Sequence, residues 1–344
     1  MRLDEFDYDL PRDRIAQEPL PEREASRLLV LDRARSELRH HVFRDLPGLL
    51  APGDLVVVNR SRVFAARLLG TRAGGAGAEV LLLRERAGDV WEAMVRPARR
   101  LRPGARVRVD EALEVEVLEA ASMADGRRLV RVLARSGDAA AAIERLGHVP
   151  LPPYIRRPDA PADRERYQTV YAKESGSVAA PTAGLHFTPA LLAGLQERGV
   201  ERAEVVLHVG PGTFRPVQVH DVREHVVPPE PFLVPEQAAA AVARARARGG
   251  RVVAVGTTTT RVLEARADDS GRVAAGRGET SLVIVPGFRF RAVDALVTNF
   301  HLPRSSLLLL VSAFAGRTRV LDAYAEAVRQ GYRFYSYGDA MLLL

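Results

Sequence analysis

Three histidines stand in short polar segments where an imidazole could transfer protons. His186, His208 and His301 lie among apolar neighbours in segments that also contain Thr, Gly, Pro or Asn. Histidine has an ordinary pKa close to neutrality, which suits a general base. A single histidine of this kind is more often a hydrogen-bonded core residue. The prediction of acid–base chemistry therefore rests on the three segments together.

Small residues, hydroxyl groups and a guanidinium accompany these histidines. Glycine in 179–188 and 207–213 lets a backbone approach a ligand closely. Gly256–Arg261 has four threonines followed by an arginine, where a predicted strand passes into a helix. A guanidinium fork suits a carboxylate. Each segment alone could be ordinary turn chemistry, because Thr, Asn, Gly and Pro dominate turns.

The elements that must position these segments alternate between strands and helices, which indicates an α/β fold. Open α/β sheets bind ligands outside the carboxyl ends of their strands. We therefore expect the polar segments to meet at one sheet edge. The predicted strands are Arg27–Leu31, Asp54–Asn59, Ala203–Val209, Arg251–Val255, Ser281–Val285 and Ala295–Thr298, with a loop at Gly256–Thr260 and helices at Pro189–Arg198, Glu236–Arg248, Ser305–Phe314 and Arg319–Gln330.

The middle of the chain has a different pattern, typical of a small β-barrel or sandwich. Gly74–Gly77 precedes a strand-like run and so predicts a hairpin, since a phosphate-binding loop would be followed by a helix. We predict an inserted domain at 63–147 within a discontinuous α/β domain formed by 1–62 and 148–344. Its short strands are predicted at Ala78–Leu83, Val90–Val95, Arg106–Val109, Leu113–Leu118 and Leu129–Leu133.

Composition narrows the function classes. The 344 residues include no cysteine, which excludes disulfides, thiolate metal sites and cysteine nucleophiles. The formal net charge of +7 permits a polyanionic partner. Lys173 is the only lysine among 50 basic residues, so a GC-rich genome explains the arginine excess equally well. Charge alone leaves nucleic-acid binding open.

Nothing in the sequence predicts a membrane span or an export signal. The start of the chain is acidic and polar, and the apolar run Leu307–Val311 is far shorter than the roughly 20 residues that span a bilayer. We expect a cytoplasmic protein without a membrane partner, acting as a monomer.

Eleven segments together resemble the S-adenosylmethionine:tRNA ribosyltransferase-isomerases of queuosine biosynthesis. The resemblance covers the chain from end to end. The matching segments are FDYDLP with IAQEPLPER (Phe6–Arg23), SRLLVLDR (Ser26–Arg33), GDLVVVN (Gly53–Asn59), GHVPLPPYI (Gly147–Ile155), YQTVYA (Tyr167–Ala172), VAAPTAGLHFT (Val178–Thr188), LHVGPGTFRPV (Leu207–Val217), VAVGTT (Val253–Thr258), VDALVTNFHLPRS (Val293–Ser305), LVSAFAG (Leu310–Gly316) and YRFYSYGDAM (Tyr332–Met341).

The resemblance implies a larger α/β barrel-like domain with a small inserted β-barrel. It also implies the reaction. The ribosyl group of S-adenosylmethionine, a co-substrate, is transferred to 7-aminomethyl-7-deazaguanine at the tRNA wobble position and isomerised, which gives epoxyqueuosine and releases adenine and methionine. No metal is expected. The chain departs from the family pattern at Pro228, where a histidine is frequent, and at Ala65, where a proline is frequent.

The resemblance also implies roles for individual residues. A base must remove a proton beside the sulfonium, and the catalytic candidates are His186, His208, His301 and Glu230. Arg261 and Asp339 are expected to hold the methionine carboxylate and amine, and aromatic residues near Tyr337 to stack on a base. The full set of expected substrate-binding residues is Thr182, Gly184, Gly210, Gly212, Thr213, Thr257, Thr258, Arg261, Asn299, Tyr337 and Asp339.

Three other interpretations remain open from the residues alone. A non-catalytic RNA-binding protein would explain the charge and the small β domain, but not the polar segments. A glycosidic hydrolase would need a pair of carboxylates, yet Asp and Glu are scattered over predicted surfaces. A metal enzyme is less favoured, because adjacent His40 and His41 would point in opposite directions on an extended segment.

Overall fold

A computed structural model describes residues 1–35, 37–119, 126–135, 137–210, 212 and 217–344. Its strands are β1 Arg27–Asp32, β2 Glu37–Val42, β3 Leu55–Asn59, β4 Ser61–Val63, β5 Arg67–Arg72, β6 Gly77–Ala87, β7 Val90–Arg96, β8 Arg106–Arg108, β9 Leu113–Glu119, β10 Arg128–Ala134, β11 Glu174–Ser177, β12 Glu201–Leu207, β13 Glu230–Val234, β14 Val252–Val255, β15 Gly276–Thr280, β16 Ala295–Asn299 and β17 Ala340–Leu343.

The helices are mostly short, and side chains cap the amino ends of α2, α4 and α7. Thr188 caps α4, where its hydroxyl accepts a hydrogen bond from the Leu191 amide at 3.1 Å and Pro189 occupies the first turn. Within the described ranges, no helix has the length and apolar character needed to cross a bilayer. The helices are α1 Leu46–Leu49, α2 Ala139–Leu146, α3 Asp163–Arg166, α4 Pro189–Glu197, α5 Glu236–Ala247, α6 Thr257–Arg266, α7 Ser306–Ala315 and α8 Arg317–Arg329.

Across the described residues, nine strands form one mixed sheet in the order β15-β13-β12-β3-β14-β16-β17-β1-β2. Strands β12, β3, β14 and β16 run parallel, whereas β17 runs antiparallel to β16 and parallel to β1. The carboxyl ends of the four parallel strands therefore meet at one edge, which is also the edge where β17 begins. This edge is called the carboxyl edge below.

Helices cover both faces of the sheet, so its central strands are apolar throughout. All five residues of β3 are buried, as expected for a strand enclosed on both sides. Leu55 and Val57 belong to the core that also contains residues of α5, α6, α7 and α8. Val56 and Val58 pack in the opposite core with residues of α1 and α4. The rigid sheet fixes where the residues after each strand lie.

The inserted part is a closed antiparallel barrel in the order β10-β7-β6-β5-β8-β9. Alternating side chains such as Leu68, Val80 and Val115 fill its interior. Gly74 and Gly75 take positive φ values of 87° and 79° in the turn of the β5–β6 hairpin, as predicted. The predicted α/β class with a small inserted barrel is confirmed, and the barrel strands fall between residues 67 and 134.

The strand predicted at Ser281–Val285 is wrong, because the observed strand β15 ends at Thr280, directly before this segment. Its sequence includes Gly278, which strand propensity disfavours. The ring of Phe232 on β13 explains the glycine, since an added Cβ at this position would lie 2.8 Å from the ring. The apolar run that follows packs without ladder bonds, and Ile284 is buried in the core.

The loop predicted at Gly256–Thr260 is also wrong, because α6 begins at Thr257. Four β-branched threonines favour strands or turns when only propensity is considered. In the structure the hydroxyls of Thr259 and Thr260 donate back to the carbonyls of Val255 and Gly256, at 2.8 and 3.1 Å. These bonds satisfy the buried hydroxyls inside the first turn of a helix.

Candidate active site

Most of the polar segments meet at the carboxyl edge, as the strand directions require. His208 follows β12, Thr257 and Thr258 follow β14, and Asn299 ends β16 with His301 two residues later. The 3-10 helix Thr182–His186 packs against β16 at the same edge. Residues from four separated parts of the chain therefore lie close together here. They form a hydrogen-bonded network and, beside it, part of the wall of a cavity.

The network centres on His186, which is buried. Its Nδ1 lies 2.9 Å from the Ser26 hydroxyl, and its Nε2 lies 3.1 Å from the amide nitrogen of Asn299. The amide of Asn299 also donates to the Tyr335 carbonyl at 3.2 Å, and its oxygen accepts from the Thr182 hydroxyl at 3.0 Å. Every polar atom of the Asn299 side chain is thereby used.

These partners define the tautomer of His186. The Ser26 hydroxyl donates to the Arg23 carbonyl at 3.2 Å, so it accepts from Nδ1–H of the imidazole. Nε2 then carries the lone pair and accepts from Asn299. Burial, together with the nearby positive charges of Arg23 and Arg333, lowers the pKa of His186 to about 3. The ring is neutral at pH 7.

His301 is a second buried histidine held by its neighbours. Its Nε2 lies 2.8 Å from the Thr298 hydroxyl, its backbone amide donates to the Tyr324 hydroxyl at 3.1 Å, and its carbonyl accepts from Tyr8. Burial lowers the pKa of His301 to about 3. Together with Thr182, Thr257, Thr258 and Asn299, this side chain lines a small cavity of about 40 Å³.

A much larger cavity of about 1300 Å³ lies between the sheet and the barrel. It is called the interdomain cavity below. His208, Glu230 and Arg261 contribute from the sheet domain, and Trp91 and Glu92 from the barrel. Pockets at such junctions are a common location for small-molecule sites.

An ion pair between Arg261 and Glu230 forms part of the cavity wall, with side chains only 10% and 8% exposed. Glu230 also accepts from the Gly210 amide at 2.9 Å, and the Arg261 Nε donates to the Leu282 carbonyl at 2.8 Å. Among the described residues, the buried Nη2 of Arg261 has no hydrogen-bond partner. Because buried donors are normally paired, this atom is suited to an acceptor on a ligand.

His208 differs from the other two histidines. Its backbone amide donates to the Pro231 carbonyl at 3.0 Å, and its ring packs over Gly176, where an added Cβ would lie 3.1 Å from the imidazole. Its Nδ1 is buried and finds no partner in the described part of the chain. Burial lowers the pKa of His208, which keeps the ring neutral at pH 7.

More carboxylates than guanidiniums line the interdomain cavity, although the chain as a whole carries a net charge of +7. Seven carboxylates line it among the described residues, against five guanidiniums. Two of the carboxylates, Asp89 and Glu144, also pair with Arg131 and Arg62 outside the cavity lining, at 3.4 and 3.5 Å. An excess of carboxylates favours cationic ligands and disfavours phosphates. The carboxylates belong to Glu85, Asp89, Glu92, Asp138, Glu144, Glu230 and Glu279, and the guanidiniums to Arg84, Arg86, Arg127, Arg261 and Arg277.

Other expected site residues lie elsewhere. The Tyr337 hydroxyl donates to Asp163 at 2.8 Å, and this buried ring packs edge-on against Tyr167. The oxygens of Asp339 accept from the backbone amides of Arg27 and Arg333, at 2.9 and 2.8 Å, and burial raises the pKa of this carboxyl. Both side chains brace the chain segment that leads into β17.

The expected glycines also separate. Gly184 is packed so closely against the Tyr171 hydroxyl that a Cβ would overlap it, which is a packing constraint. Gly210 and Gly212 line the interdomain cavity, and Gly212 packs against Pro228. Thr213 lies outside the described residues.

Sequence reasoning missed the barrel's contribution to the cavity. Glu92 is 1% exposed and pairs with Arg86 and, at 3.0 Å, with Arg127. Trp91, the only tryptophan in the chain, lines the same wall and packs on Phe64 with ring centroids 5.6 Å apart. Its uniqueness was an available signal, whereas no pattern distinguishes Glu92 from other strand residues.

No group of three or more His, Cys, Asp or Glu side chains arranged to hold a metal ion occurs among the described residues.

A mixed α/β sheet whose strand ends open into a polar cavity is the architecture of a ligand-binding α/β protein. A family described as queuosine biosynthesis protein matches residues 3–343, and the chain belongs to this family. It is similar to curated proteins named S-adenosylmethionine:tRNA ribosyltransferase-isomerase. The one from Moorella thermoacetica is 56% identical over 100% of both chains, and the one from Desulfitobacterium hafniense is 51% identical over 100% of both.

A solved structure has the same overall arrangement. The crystal structure of the S-adenosylmethionine tRNA ribosyltransferase of Thermotoga maritima is 40% identical and covers 99% of this chain and 100% of its own, with a TM-score of 0.56.

Proposed function

We propose that this protein is an S-adenosylmethionine:tRNA ribosyltransferase-isomerase. It transfers the ribosyl group of S-adenosylmethionine to 7-aminomethyl-7-deazaguanine at the tRNA wobble position and isomerises it, giving epoxyqueuosine with release of adenine and methionine. Similarity to proteins of this name over the full chain supports the assignment. The proposal includes a cytoplasmic location and action as a monomer.

The interdomain cavity, lined by more carboxylates than guanidiniums, is the structural observation that carries this proposal. Its volume of about 1300 Å³ exceeds the roughly 300–1,000 Å³ typical of small-molecule pockets, so it has room for a co-substrate and a nucleotide together. S-adenosylmethionine bears a sulfonium and an ammonium, and the acceptor bears an aminomethyl group. The excess of carboxylates suits all three cations. A protein that only bound RNA would have no need of such a cavity.

Arg261 is positioned to bind the one anionic group of S-adenosylmethionine, its carboxylate. The unpartnered Nη2 supplies a charge-assisted donor, while Glu230 holds the guanidinium from the other side. Glu230 is in turn oriented by the Gly210 amide. The three residues form a preorganised unit in which the Arg261 Nη2 remains as a donor for a ligand.

His208 is the best placed of the three histidines to remove a proton beside the sulfonium. It lines the interdomain cavity, whereas the Nε2 lone pair of His186 is already occupied by Asn299. Burial holds the His208 ring in the neutral form that a base requires. His186 and His301 then act as positioning residues for Asn299 and Thr298.

Mass spectrometry of a modified anticodon stem-loop tests the function. The RNA carries 7-aminomethyl-7-deazaguanine and is incubated with the protein and S-adenosylmethionine. We expect a mass gain equal to the epoxycyclopentanediol group, together with equimolar free adenine and methionine. An RNA that stays unmodified, under conditions in which the Moorella thermoacetica relative modifies it, would overturn the assignment.

A binding measurement separates co-substrate binding from turnover. Because Trp91 is the only tryptophan and lines the cavity, its fluorescence should change when S-adenosylmethionine is added without RNA. The variant Arg261→Met should need a higher concentration for the same change. The matched control Arg251→Met alters an arginine that pairs with Asp54 at the opposite edge of the sheet and should leave the titration unchanged.

A further inference from the structure

The turn between β7 and β8 presents four exposed arginines, Arg96, Arg99, Arg100 and Arg102. Within the described part of the chain, none of these side chains forms an ion pair or a hydrogen bond. Four guanidiniums therefore lie within seven residues with no carboxylate paired to them, so their positive potentials add. This group is called the arginine turn below.

Other arginines of the barrel are mixed in this respect. Arg67 pairs with Glu79 at 3.1 Å and Arg106 with Glu114 at 2.9 Å. Among the described residues, Arg72, Arg108, Arg128 and Arg135 have no carboxylate partner either, but no four of them lie within seven residues of the sequence. The sequence alone offers no contrast among so many arginines, but ion pairing divides them. Unpaired arginines concentrated in one place form an electropositive surface suited to phosphates.

The arginine turn is anchored and does not hang freely. Leu101 lies between the arginines and is fully buried in the barrel core. Backbone bonds close the turn, from Arg100 to the Pro97 carbonyl at 3.0 Å and from Gly104 to the Val117 carbonyl at 2.7 Å. A fixed framework lowers the entropy lost when a ligand is bound.

The arginine turn also continues from the interdomain cavity along one face of β7. Alternate residues of a strand share a face, so Glu92, Met94 and Arg96 form one row on the outside of the barrel. Glu92 and Met94 line the cavity, and Arg96 is the next residue in the row. At about 3.4 Å per residue, Arg96 lies about 14 Å along the strand from Glu92.

We propose that the arginine turn binds the phosphate backbone of the tRNA whose wobble base enters the interdomain cavity. The inference rests on the proposed function, which supplies an RNA substrate. The two surfaces differ in charge: the carboxylates of the cavity favour the cationic aminomethyl base, and the arginine turn binds phosphates outside the cavity. Contacts to phosphates position the RNA and carry no sequence information.

The test compares two double variants that each remove two exposed, unpaired arginines. Arg99→Ser/Arg100→Ser removes them from the arginine turn. Arg198→Ser/Arg289→Ser removes them from loops that precede β12 and β16, at the opposite edge of the sheet. Binding of the anticodon stem-loop is measured by fluorescence anisotropy over a range of salt concentrations, without S-adenosylmethionine, so that no turnover is required.

We expect the first variant to bind the stem-loop about tenfold more weakly at physiological salt, and its salt slope to fall by about 1.5, since each phosphate contact contributes about 0.7–0.9. The control should bind as the wild-type protein does. Both variants should give the same Trp91 response to S-adenosylmethionine, which shows intact folding.

Equal affinity and equal salt slope in the two variants would overturn the proposal. The arginine turn would then bind an acidic protein or no partner at all. Stem-loop binding that depends on the arginine turn in a protein that transfers no ribosyl group would retain the surface and overturn the proposed function. The two failures are therefore distinguishable.

Discussion

The hydrogen-bonded network and the wall of the interdomain cavity lie at the same edge of the sheet but differ in how their polar atoms are satisfied. Around His186, the side chains of Ser26, Asn299 and Thr182 use one another's donors and acceptors. On the cavity wall, Arg261 and His208 each keep a buried nitrogen without a partner in the described structure. Buried polar atoms are normally paired, so the unpaired nitrogens of the cavity wall cost stability, as expected for the ligand contacts proposed above.

Location at strand ends does not by itself identify reacting groups. The network is suited to a structural role, because its polar atoms already form hydrogen bonds with one another and its histidine is neutral. The cavity wall has free donors, carboxylates and space. Substitutions in the network should therefore mainly lower stability. Substitutions at the wall should lower turnover, and breaking its buried ion pair should lower stability as well.

The largest expected effect comes from breaking the Arg261–Glu230 pair. Arg261→Met leaves Glu230 buried without its guanidinium and should lower the free energy of unfolding by about 3 kcal/mol or more, with loss of turnover. The double variant Arg261→Met/Glu230→Leu should regain most of this stability and stay inactive. Urea unfolding and the stem-loop assay measure both. A double variant that recovers turnover would show that the pair is only structural.

Replacing one histidine in each region tests the difference between the network and the cavity wall. His208→Gln should lower the turnover number at least about 100-fold with little change in stability, because it removes the proposed base. His186→Gln should lower the free energy of unfolding by about 2 kcal/mol, since buried partners lose their bonds, and retain more turnover. Single-turnover rates and urea midpoints test this. The opposite ranking would assign the base to His186.

The pH dependence of stability tests the neutral state of the network. The pKa of His186 is about 3 in the folded protein and 6.5 ordinarily, so the unfolded chain gains the proton first as pH falls. Stability should therefore be lost as pH decreases from about 6.5 towards 3, by about 1.4 kcal/mol per pH unit from this group. His301 adds an equal slope. Urea unfolding between these pH values gives the unfolding free energy as a function of pH. In His186→Gln this dependence should be weaker by about 1.4 kcal/mol per pH unit, the contribution of one proton. An unchanged dependence would contradict the assignment of a neutral His186.

A pair of glycine substitutions gives the smallest effects. Gly184→Ala places a methyl group against the Tyr171 hydroxyl and should cost about 1–3 kcal/mol of stability. Gly210→Ala meets only a Glu230 oxygen at 3.9 Å, so stability should change by less than about 0.5 kcal/mol. Because Gly210 lines the cavity, its variant should raise the KM for S-adenosylmethionine a few-fold. Equal loss of stability in both would remove this distinction.

Much of the fold could be predicted because most of its strands are short apolar runs bounded by turn residues, which is a local pattern in the sequence. The β14 strand was expected at Arg251–Val255 and lies at Val252–Val255, since a short apolar run followed by glycine has few alternatives. The prediction failed at β15, where a glycine-containing strand exists only because Phe232 packs over it. Such a cause acts between strands far apart in sequence and leaves no local pattern.

The candidate site divides in the same way. The polar segments and their meeting point follow from strand direction, so His208 and Arg261 could be proposed from the sequence, whereas Glu230 entered only through the family resemblance. Which histidine faces open space depends on the partners of each ring, as with Ser26 and His186. The roles of Trp91 and Glu92 depend on how the barrel docks against the sheet, which no spacing in the sequence encodes.

The position of β17 between β16 and β1 has a consequence for synthesis on the ribosome. The six barrel strands are contiguous in the chain and can close while later residues are still being made. In contrast, β1 must wait for β17, which follows every other strand, before it gains its parallel neighbour. The nascent chain therefore carries a finished barrel beside an incomplete sheet, and the carboxyl edge is assembled last.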